Sequence, residues 1–263
     1  MVNTAALIST LAIIIPGTLF WFLLGYIIYY PPKSLFDYMQ RKHPRVLWQI
    51  SSLPPSSRVI CLTLDDCPSP QTAAMLDSLK KHNAKATFFI IGDQVPGHED
   101  IIKRIHDEGH EVGNHAWTDE KTVLRPLAEV ERQINAVEEL LPANANGLKY
   151  FRPGGGFFSS KMVEKVTEMG YKVVLRCIYL HDPQVWSARV NARHVLSMVR
   201  TGGIIIMHDR RGHSAPQLEL VLKGLKEKSW DVVSLGGLLE FAEKATEIEV
   251  GDRGENNDNR SGI

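Results

Sequence analysis

The sequence predicts an α/β fold with a mostly parallel sheet, and two observations carry that prediction. Seven short, apolar and β-branched runs alternate with amphipathic stretches of helical period. Several of these stretches end at or near a glycine, as at Gly109 and Gly170, where a helix commonly stops. Alternating strands and helices favour right-handed crossovers and a parallel sheet, which either closes into a barrel or stays open and doubly wound.

The first segment is apolar and is predicted to be a transmembrane helix over residues 5–30. Residues 1–32 carry no charged side chain, and the apolar stretch is long enough to cross a bilayer. A cleaved signal peptide is the alternative, but the basic start and the small-residue cleavage site that it needs are not evident. Four basic residues follow the helix, which by the positive-inside rule alone places the globular domain in the cytosol. They are Lys33, Arg41, Lys42 and Arg45.

Three further segments follow the apolar helix. Residues 31–57 are punctuated by proline and serine and are predicted to be a linker. Residues 58–242 carry all seven strand-like runs and form the predicted globular domain, which is long enough for a full core. Residues 243–263 are too polar to bury and are predicted to be a disordered tail.

The alternation sets the predicted bounds of each element in the domain. Strands are expected where β-branched and aromatic residues cluster, at 59–64, 86–91, 111–115, 149–152, 171–177, 204–207 and 231–235. Helices are expected where apolar residues recur every three or four positions, at 70–82, 99–108, 127–141, 159–169, 192–200 and 216–228.

Charge and cysteine content exclude some classes of function. The 30 lysines and arginines equal the 30 aspartates and glutamates, so the chain lacks the broad basic face that nucleic-acid binding needs. The three cysteines, Cys61, Cys67 and Cys177, have neither zinc-finger spacing nor the density of a disulfide scaffold. Nucleic acid is therefore not an expected partner, and the cysteines do not decide the compartment.

Reactive side chains recur where the predicted strands end. In a parallel barrel the carboxyl ends of the strands share one face, so residues far apart in sequence meet there in one pocket. The residues at or just after these ends are Asp65, Asp66, His115, Arg152, Asp182 and His208. The sequence thus predicts an active site on that face.

Three of the acidic and imidazole groups form a candidate metal site. Adjacent carboxylates at Asp65 and Asp66 repel each other unless a cation lies beside them, although an arginine or a solvated helix cap would also explain the pair. His115 and Asp119 are four residues apart, so a helical turn would point both the same way. Asp66, His115 and Asp119 together offer two oxygens and one nitrogen and leave positions open for water.

The order of these motifs resembles the NodB-like polysaccharide deacetylases, carbohydrate esterase family 4, over residues 58 to about 241. The family motif T-F-D-D-G-P matches residues 63–68, H-S/T-x-x-H matches 115–119, R-P-P-Y-G matches 152–156 and L-x-H matches 206–208. The fourth motif is looser, with Asp182 where the family has an aspartate before an aromatic wall.

The resemblance implies a fold, an activity and a compartment. It implies a distorted (β/α)7 barrel preceded by the transmembrane helix, and a metal-dependent hydrolase of non-peptide carbon–nitrogen bonds. The expected reaction removes the acetyl group from N-acetylglucosamine units of polysaccharides or oligosaccharides such as chitin. Such a substrate places the domain of a single-pass membrane protein outside the cell or in a lumen, against the positive-inside rule.

The resemblance also implies a role for each site residue. Asp65 is the expected general base, held by Arg152, and His208 is the general acid, with Asp182 as its partner. Substrate contacts are expected from the backbone N–H of Gly155, from Ile206 beneath the acetyl methyl group and from Trp186 as an aromatic wall. The metal ligands are Asp66, His115 and Asp119. Zinc is the first expectation, with manganese, iron or cobalt as alternatives.

Departures from the family pattern leave two other functions open. Asp119 stands in place of a second histidine, Cys67 in place of a glycine, and residues 154–156 in place of a proline, an aromatic and a glycine. These changes are compatible with a carbohydrate-binding member that has lost catalysis, or with a hydrolase of another non-peptide carbon–nitrogen bond. Four nearby polar residues are interpreted as solvated loop charges, namely Glu120, Arg210, Arg211 and His213.

Overall fold

The computed structural model describes residues 4–258, with side chains described from residue 14 to residue 247. Nine helices lie within these residues: α1 Thr4–Tyr29, α2 Lys33–Lys42, α3 Thr72–Lys81, α4 Glu99–Asp107, α5 Leu127–Glu138, α6 Ser160–Glu168, α7 Ala188–Met198, α8 Ser214–Glu227 and α9 Leu235–Asp258. The strands are β1 Val46–Leu47, β2 Val59–Cys67, β3 Thr87–Ile90, β4 Glu111–Asn114, β5 Lys149–Phe151, β6 Tyr171–Val174, β7 Ile178–Tyr179, β8 Ile204–His208 and β9 Asp231–Val233.

All nine strands form one parallel sheet. The order across the sheet is β1-β6-β5-β4-β3-β2-β8-β7, and β9 pairs with the beginning of β2. The helices that connect the strands supply the crossovers that a parallel sheet needs. The predicted α/β architecture and its parallel sheet are therefore confirmed.

The sheet is a curled half-barrel, and one predicted strand is divided within it. The run predicted as a single strand over 171–177 is two strands in the structure. β6 pairs with β5, whereas β7 pairs with β8 on the other side of the sheet. Between them the N–H of Cys177 donates to the carbonyl of Ile204 at 3.3 Å. One segment of the chain therefore supplies β6, next to the edge strand β1, and β7, at the opposite end of the strand order. This connection brings the two ends of the sheet toward each other.

The alternation of side chains along β2 decides which residues face inward. All nine residues of this strand are buried. Ile60 and Leu62 belong to the apolar cluster beneath α3 and α8, while Val59 and Cys61 belong to a second cluster on the other face of the sheet. Because successive side chains point to opposite faces, the same period puts Asp65 on the inner face.

The segment predicted as a linker over 31–57 is part of the fold. It contains α2 and β1, and β1 adds an edge strand beside β6. Phe36 of α2 is buried, and the Asp37 carboxylate accepts a hydrogen bond from Gln49 at 2.7 Å. The linker prediction failed because the segment is held by contacts with distant parts of the chain, which its turn-rich composition does not reveal.

The carboxyl-terminal boundary also differs from the prediction. Helix α9 runs from Leu235 to Asp258, so the boundary expected at residue 242 lies inside a helix. Ala245 still packs against the inner apolar cluster. Of the predicted disordered tail, residues 259–263 lie outside the described residues.

The amino-terminal helix α1 coincides with the predicted transmembrane segment. Over the residues that were searched, no single helix is long and apolar enough to cross a membrane. The pair Ile14–Tyr29 and Lys33–Lys42, bent by 70°, meets the length and composition test when the two helices are taken together.

Candidate active site

Most of the predicted site residues line one cavity of about 180 Å³ at the carboxyl ends of the strands. The predicted residues that line it are Asp65, Asp66, His115, Asp119, Arg152, Gly155, Ile206 and His208. Asp182 lies behind His208 and is wholly buried. Trp186 does not line this cavity and its side chain is 83% exposed, so its role as an aromatic wall stays a prediction.

A distortion at the end of β2 brings two adjacent carboxylates into the cavity. In a regular strand the side chains of Asp65 and Asp66 would point to opposite faces. Here Asp66 has a left-handed φ of 64°, and the register with β3 shifts between Leu64 and Cys67. Such bulges redirect a side chain, and both carboxylates consequently line the same cavity.

Arg152 fixes the position of the Asp65 carboxylate. The Nη1 atom of Arg152 donates to Oδ1 of Asp65 and, at 2.8 Å, to the hydroxyl of Thr63. Its Nε and Nη2 atoms each lie 3.3 Å from a backbone carbonyl, those of Val174 and Leu175. The guanidinium is therefore held by four groups, which leaves the carboxylate little freedom to move.

The surrounding charges keep Asp65 ionised. Burial opposes its charged form, but the positive charge of Arg152, with smaller contributions from His115 and His208, outweighs burial and holds the pKa of Asp65 below its usual value. The pKa of Asp66 is raised instead, mainly by burial, and the neighbouring Asp65 adds to that effect. Asp65 is thus the carboxylate of the pair whose charged form the surroundings favour.

The His115 ring is oriented by the chain that carries Arg152. Its Nδ1 atom lies 2.7 Å from the carbonyl oxygen of Arg152, which makes Nδ1 the protonated donor. The Nε2 atom consequently faces the carboxylates, 3.7 Å from Oδ2 of Asp65 and 3.8 Å from Oδ1 of Asp66. An imidazole oriented in this way by a backbone carbonyl is typical of a metal ligand.

The third predicted ligand, Asp119, pairs with Arg210 at the rim. Arg210 Nη2 donates to Oδ2 of Asp119 at 2.6 Å, and Arg210 Nε lies 3.9 Å from Oδ2 of Asp66. Within the described part of the chain, no three His, Cys, Asp or Glu side chains are grouped closely enough to hold an ion. Asp66 and His115 offer one oxygen and one nitrogen donor on the same cavity, whereas Asp119, which also lines it, is paired with Arg210 and does not complete a group of three with them.

His208 stands at the end of β8, directly beside Asp65 in the strand register. Its Nδ1 atom is 2.8 Å from Oδ1 of Asp182, and its backbone N–H donates to the other oxygen of Asp182, also at 2.8 Å. Burial opposes the charged imidazolium, but the hydrogen bond and charge of Asp182 outweigh it and raise the pKa of His208. The Nε2 side of the ring is left toward the cavity.

The loop after Arg152 needs glycine at Gly154 because the backbone of Glu120 packs directly against that position. A Cβ atom on Gly154 would come within 2.0 Å of the carbonyl oxygen of Glu120. Gly155 has a left-handed φ of 73°, which other residues adopt at a cost. Among the described residues its backbone N–H has no hydrogen-bond acceptor, and Gly155 lines the cavity.

Several residues of the cavity were missed or misread in the sequence. Arg176 and Tyr179 line it, and Arg211 lines it although it was interpreted as a solvated loop charge. The signal for Arg176 was a charged residue inside an apolar run at the end of a predicted strand. Arg210 was likewise misread, since it bridges two acids. Cys67, by contrast, is a buried thiol whose pKa is raised well above its usual value, mainly by burial.

Comparisons with known proteins identify the family. The pattern described as Polysaccharide deacetylase matches residues 52–174. Over 186 residues the chain is 36% identical to a peptidoglycan-N-acetylglucosamine deacetylase of Bacillus cereus, an alignment that covers 66% of this chain and 68% of the relative. The chain belongs to the polysaccharide deacetylase family. This is a family of hydrolases acting on carbon–nitrogen bonds other than peptide bonds, the enzyme class that the sequence predicted.

Two further relatives show how much of the family fold is present. A peptidoglycan-N-acetylglucosamine deacetylase of Listeria monocytogenes, PgdA, is 31% identical over 70% of this chain, which spans only 39% of the length of that relative. The solved structure of peptidoglycan deacetylase PdaC from Bacillus subtilis is 27% identical, with a TM-score of 0.68, and covers 76% of this chain and 99% of that structure. The family assignment therefore rests on both sequence and fold.

Proposed function

We propose that this chain removes acetyl groups from N-acetylated amino sugars in glycans. The observation that carries the proposal is the arrangement of two ion pairs at one cavity, the buried pair of Asp65 with Arg152 and the partly buried His208 backed by Asp182. Chitin-like polymers of N-acetylglucosamine are the substrate that the motif resemblance implies. The names of the relatives favour a peptidoglycan-type glycan instead, so both belong in the test.

Asp65 acts as the general base in this proposal. Hydrolysis of an acetamide requires water to attack an unreactive carbonyl, and a base must take a proton from that water. Asp65 is ionised because Arg152 lowers its pKa, and its position is fixed by the same guanidinium. Arg152 is thus a positioning residue that sets both the place and the charge of the base.

Asp66 and His115 are the proposed holders of a divalent cation, zinc first, with manganese, iron or cobalt as alternatives. When bound there, the cation supplies Lewis acidity toward the attacking water and the amide oxygen. Asp119 lines the same cavity and becomes a third ligand only by exchanging its ion pair with Arg210. His115 is already oriented for such a role by its hydrogen bond to the carbonyl of Arg152.

The remaining groups act on the other atoms of the amide. The free N–H of Gly155 binds the oxygen on which negative charge develops, and Ile206 forms an apolar floor for the acetyl methyl group. His208 protonates the nitrogen as the amine leaves, since Asp182 raises its pKa and so favours the charged form that can give up a proton. Asp65 therefore takes a proton from the water that attacks the carbonyl carbon, and His208 gives a proton to the nitrogen at the other end of the same carbon–nitrogen bond.

We also propose that α1 anchors the chain in a membrane with the catalytic domain outside the cytosol, where such glycans lie. The basic residues from Lys33 to Arg45 oppose this orientation. Protease treatment of sealed membranes decides between the two: loss of the domain without lysis supports the external orientation, and protection excludes it.

A carbohydrate-binding member without catalysis is the second candidate, and the Asp119–Arg210 ion pair favours it. If the Arg210 guanidinium permanently occupies the place beside Asp119 and Asp66 that a metal ion would take, the site binds glycans but lacks the ion that would activate water. Both candidates predict glycan binding, and only the first predicts release of acetate.

The deciding experiment measures acetate release by the full chain, stripped of metal and then reconstituted with zinc, manganese or cobalt. Substrates are N-acetylglucosamine oligomers and fragments of peptidoglycan. Asp65→Asn is the control, and we expect it to lower turnover by about 100- to 10,000-fold, the usual contribution of a general base, while metal binding persists. No acetate release with any metal, together with retained glycan binding, would establish the second candidate.

A further inference from the structure

Two arginines of the catalytic cavity have no acidic partner. Arg152 pairs with Asp65, but Arg176 and Arg211 form no ion pair with any carboxylate in the described part of the chain. The Nε atom of Arg211 is buried and has no hydrogen-bond partner among these residues. The cavity is therefore lined by two guanidinium groups that no described carboxylate contacts as an ion pair.

The surroundings of Arg176 are built to hold its side chain at the cavity wall. Its guanidinium carbon lies 4.2 Å from the centre of the Tyr179 ring, a cation–π contact. A Cβ atom on Gly156 would come within 2.8 Å of its Nη1 atom, so this glycine makes room for the guanidinium. Arg176 also lines a second, largely aromatic cavity of about 240 Å³ beside the first, and so stands between the two.

A partly buried guanidinium at a cavity wall that makes no ion pair is a natural binding group for an anion. Burial is the main cause that lowers the pKa of Arg176 and the like charge of Arg152 adds to it, while Tyr179, Asp65 and Asp182 act in the opposite direction without contacting it as ion pairs. The planar fork of a guanidinium matches the two oxygens of a carboxylate or a phosphate. Since Asp65 already accepts a hydrogen bond from Arg152, a ligand is the natural source of an anion that would accept hydrogen bonds from Arg176 and Arg211.

We propose that Arg176 and Arg211 form an anion subsite, so that the preferred substrate is an N-acetylated sugar that carries an acidic group close to its acetamide. This inference rests on the proposed deacetylase function and adds the chemical class of the sugar. Arg176 is the specificity-determining residue, because it approaches both the reacting cavity and the adjoining aromatic one. A carboxylate and a phosphate share the required chemistry, and the experiment separates them.

The first test compares acetate release by the full, metal-loaded chain from four probes. They are an N-acetylglucosamine tetramer, its 6-phosphorylated form, an oligosaccharide that alternates N-acetylglucosamine with N-acetylmuramic acid, and the methyl ester of that oligosaccharide. The ester removes only the negative charge. We expect kcat/KM for the acid to exceed that for the ester about 10-fold or more, as for a charged hydrogen bond; a similar advantage of the phosphorylated tetramer over the plain one identifies phosphate as the group bound.

Variants tie the preference to the proposed residues. Arg176→Gln should reduce the acid-to-ester ratio to near one, and Arg176→Lys, which keeps the charge but not the fork, should recover part of it. Arg193→Gln, at an exposed position on α7 outside the cavity, is the matched control and should keep the ratio. Equal rates for acid and ester in the wild type, or an unchanged ratio in Arg176→Gln, overturns the proposal.

A binding measurement separates failure of this proposal from failure of the deacetylase function. Calorimetry with the full-length Asp65→Asn chain needs no turnover. We expect the acid to bind about 10-fold or more tightly than its ester, and the difference to vanish when Arg176→Gln is added. If no probe releases acetate but this difference is present, the anion subsite stands and the catalytic function does not. If acetate is released and acid and ester bind equally, the subsite is excluded.

Discussion

Two ion pairs of the cavity, one at its inner side and one at its rim, differ in burial and therefore in how easily they exchange partners. At the inner side, the Asp65 and Arg152 side chains are only 3% and 1% exposed. At the rim, the Asp119 and Arg210 side chains are 45% and 39% exposed. A pair closed off from water cannot lose one partner without leaving a buried charge, whereas a solvated pair exchanges its partners at little cost.

The difference in burial follows from the structural elements that carry the residues of each pair. Asp65 ends β2 at the centre of the sheet, and Arg152 is held by the backbone carbonyls of Val174 and Leu175. Asp119 and Arg210 lie in loops beyond the strands and are fixed mainly by each other. The inner pair therefore sets a permanent geometry for the Asp65 carboxylate, and the rim pair is the one that is free to exchange partners.

Loss of the inner cation should have the largest effect. Arg152→Met leaves Asp65 buried without a partner, and we expect the free energy of unfolding to fall by about 3–5 kcal/mol, with loss of activity. Urea denaturation at neutral pH measures this. The lowered pKa of Asp65 means that the wild-type advantage is present above the ordinary aspartate pKa and is lost as the pH falls through the lowered value.

The matched control is the double variant Arg152→Met with Asp65→Asn, which removes both charges. It should be clearly more stable than Arg152→Met alone, because no buried charge is left unpaired. Equal stability of the single and double variants would contradict the view that the inner pair is closed.

Asp182→Asn tests a second closed pair, with a smaller expected effect. Asp182 raises the pKa of His208, so its loss should lower that pKa and deprotonate the general acid at a lower pH. We expect the alkaline limb of the kcat profile to move to lower pH and the rate to fall by about 10- to 100-fold at pH 8. An alkaline limb that stays in place would show that His208 is not the acid.

Asp119→Ala asks whether the rim carboxylate takes part in metal binding. If Asp119 exchanges Arg210 for the ion, its loss should weaken zinc binding by about 10-fold or more, while folding is unaffected. Calorimetric titration of the metal-free chain with zinc measures the affinity, and urea denaturation controls for folding. Unchanged zinc affinity would confine the metal ligands to Asp66 and His115.

Arg210→Gln should have the smallest effect on stability and the opposite effect on the metal. Removal of this half-exposed cation should change the free energy of unfolding by at most about 1 kcal/mol. Zinc should bind more tightly, because Asp119 and Asp66 lose a competing positive charge. Arg132→Gln, which breaks an exposed pair with Glu129 on α5, is the control and should leave zinc affinity as it was. Weaker zinc binding in Arg210→Gln would mean that the rim pair supports the metal site.

Most of the cavity was predictable because reactive residues at strand ends are a local feature of sequence. Asp65, His115, Arg152 and His208 each stand at the end of a predicted strand, and the parallel sheet brings such ends to one face. Arg176 was hidden within a run that looked like one strand, and the division of that run between β6 and β7 is what turns its side chain to the cavity. No local pattern marks such a division.

The sequence by itself determined the strand and helix periods, the family and the set of acids and bases at the strand ends. The periods and each motif depend on residues within one turn or one strand of each other, and the family follows from the order of those motifs along the chain. Only the tertiary structure decided which cation meets which acid, since Arg152 reaches Asp65 across 87 positions and Arg210 reaches Asp119 across 91. The physical reason is that ion pairing over such separations depends on how the curled sheet and its loops pack, and a local pattern contains no measure of that.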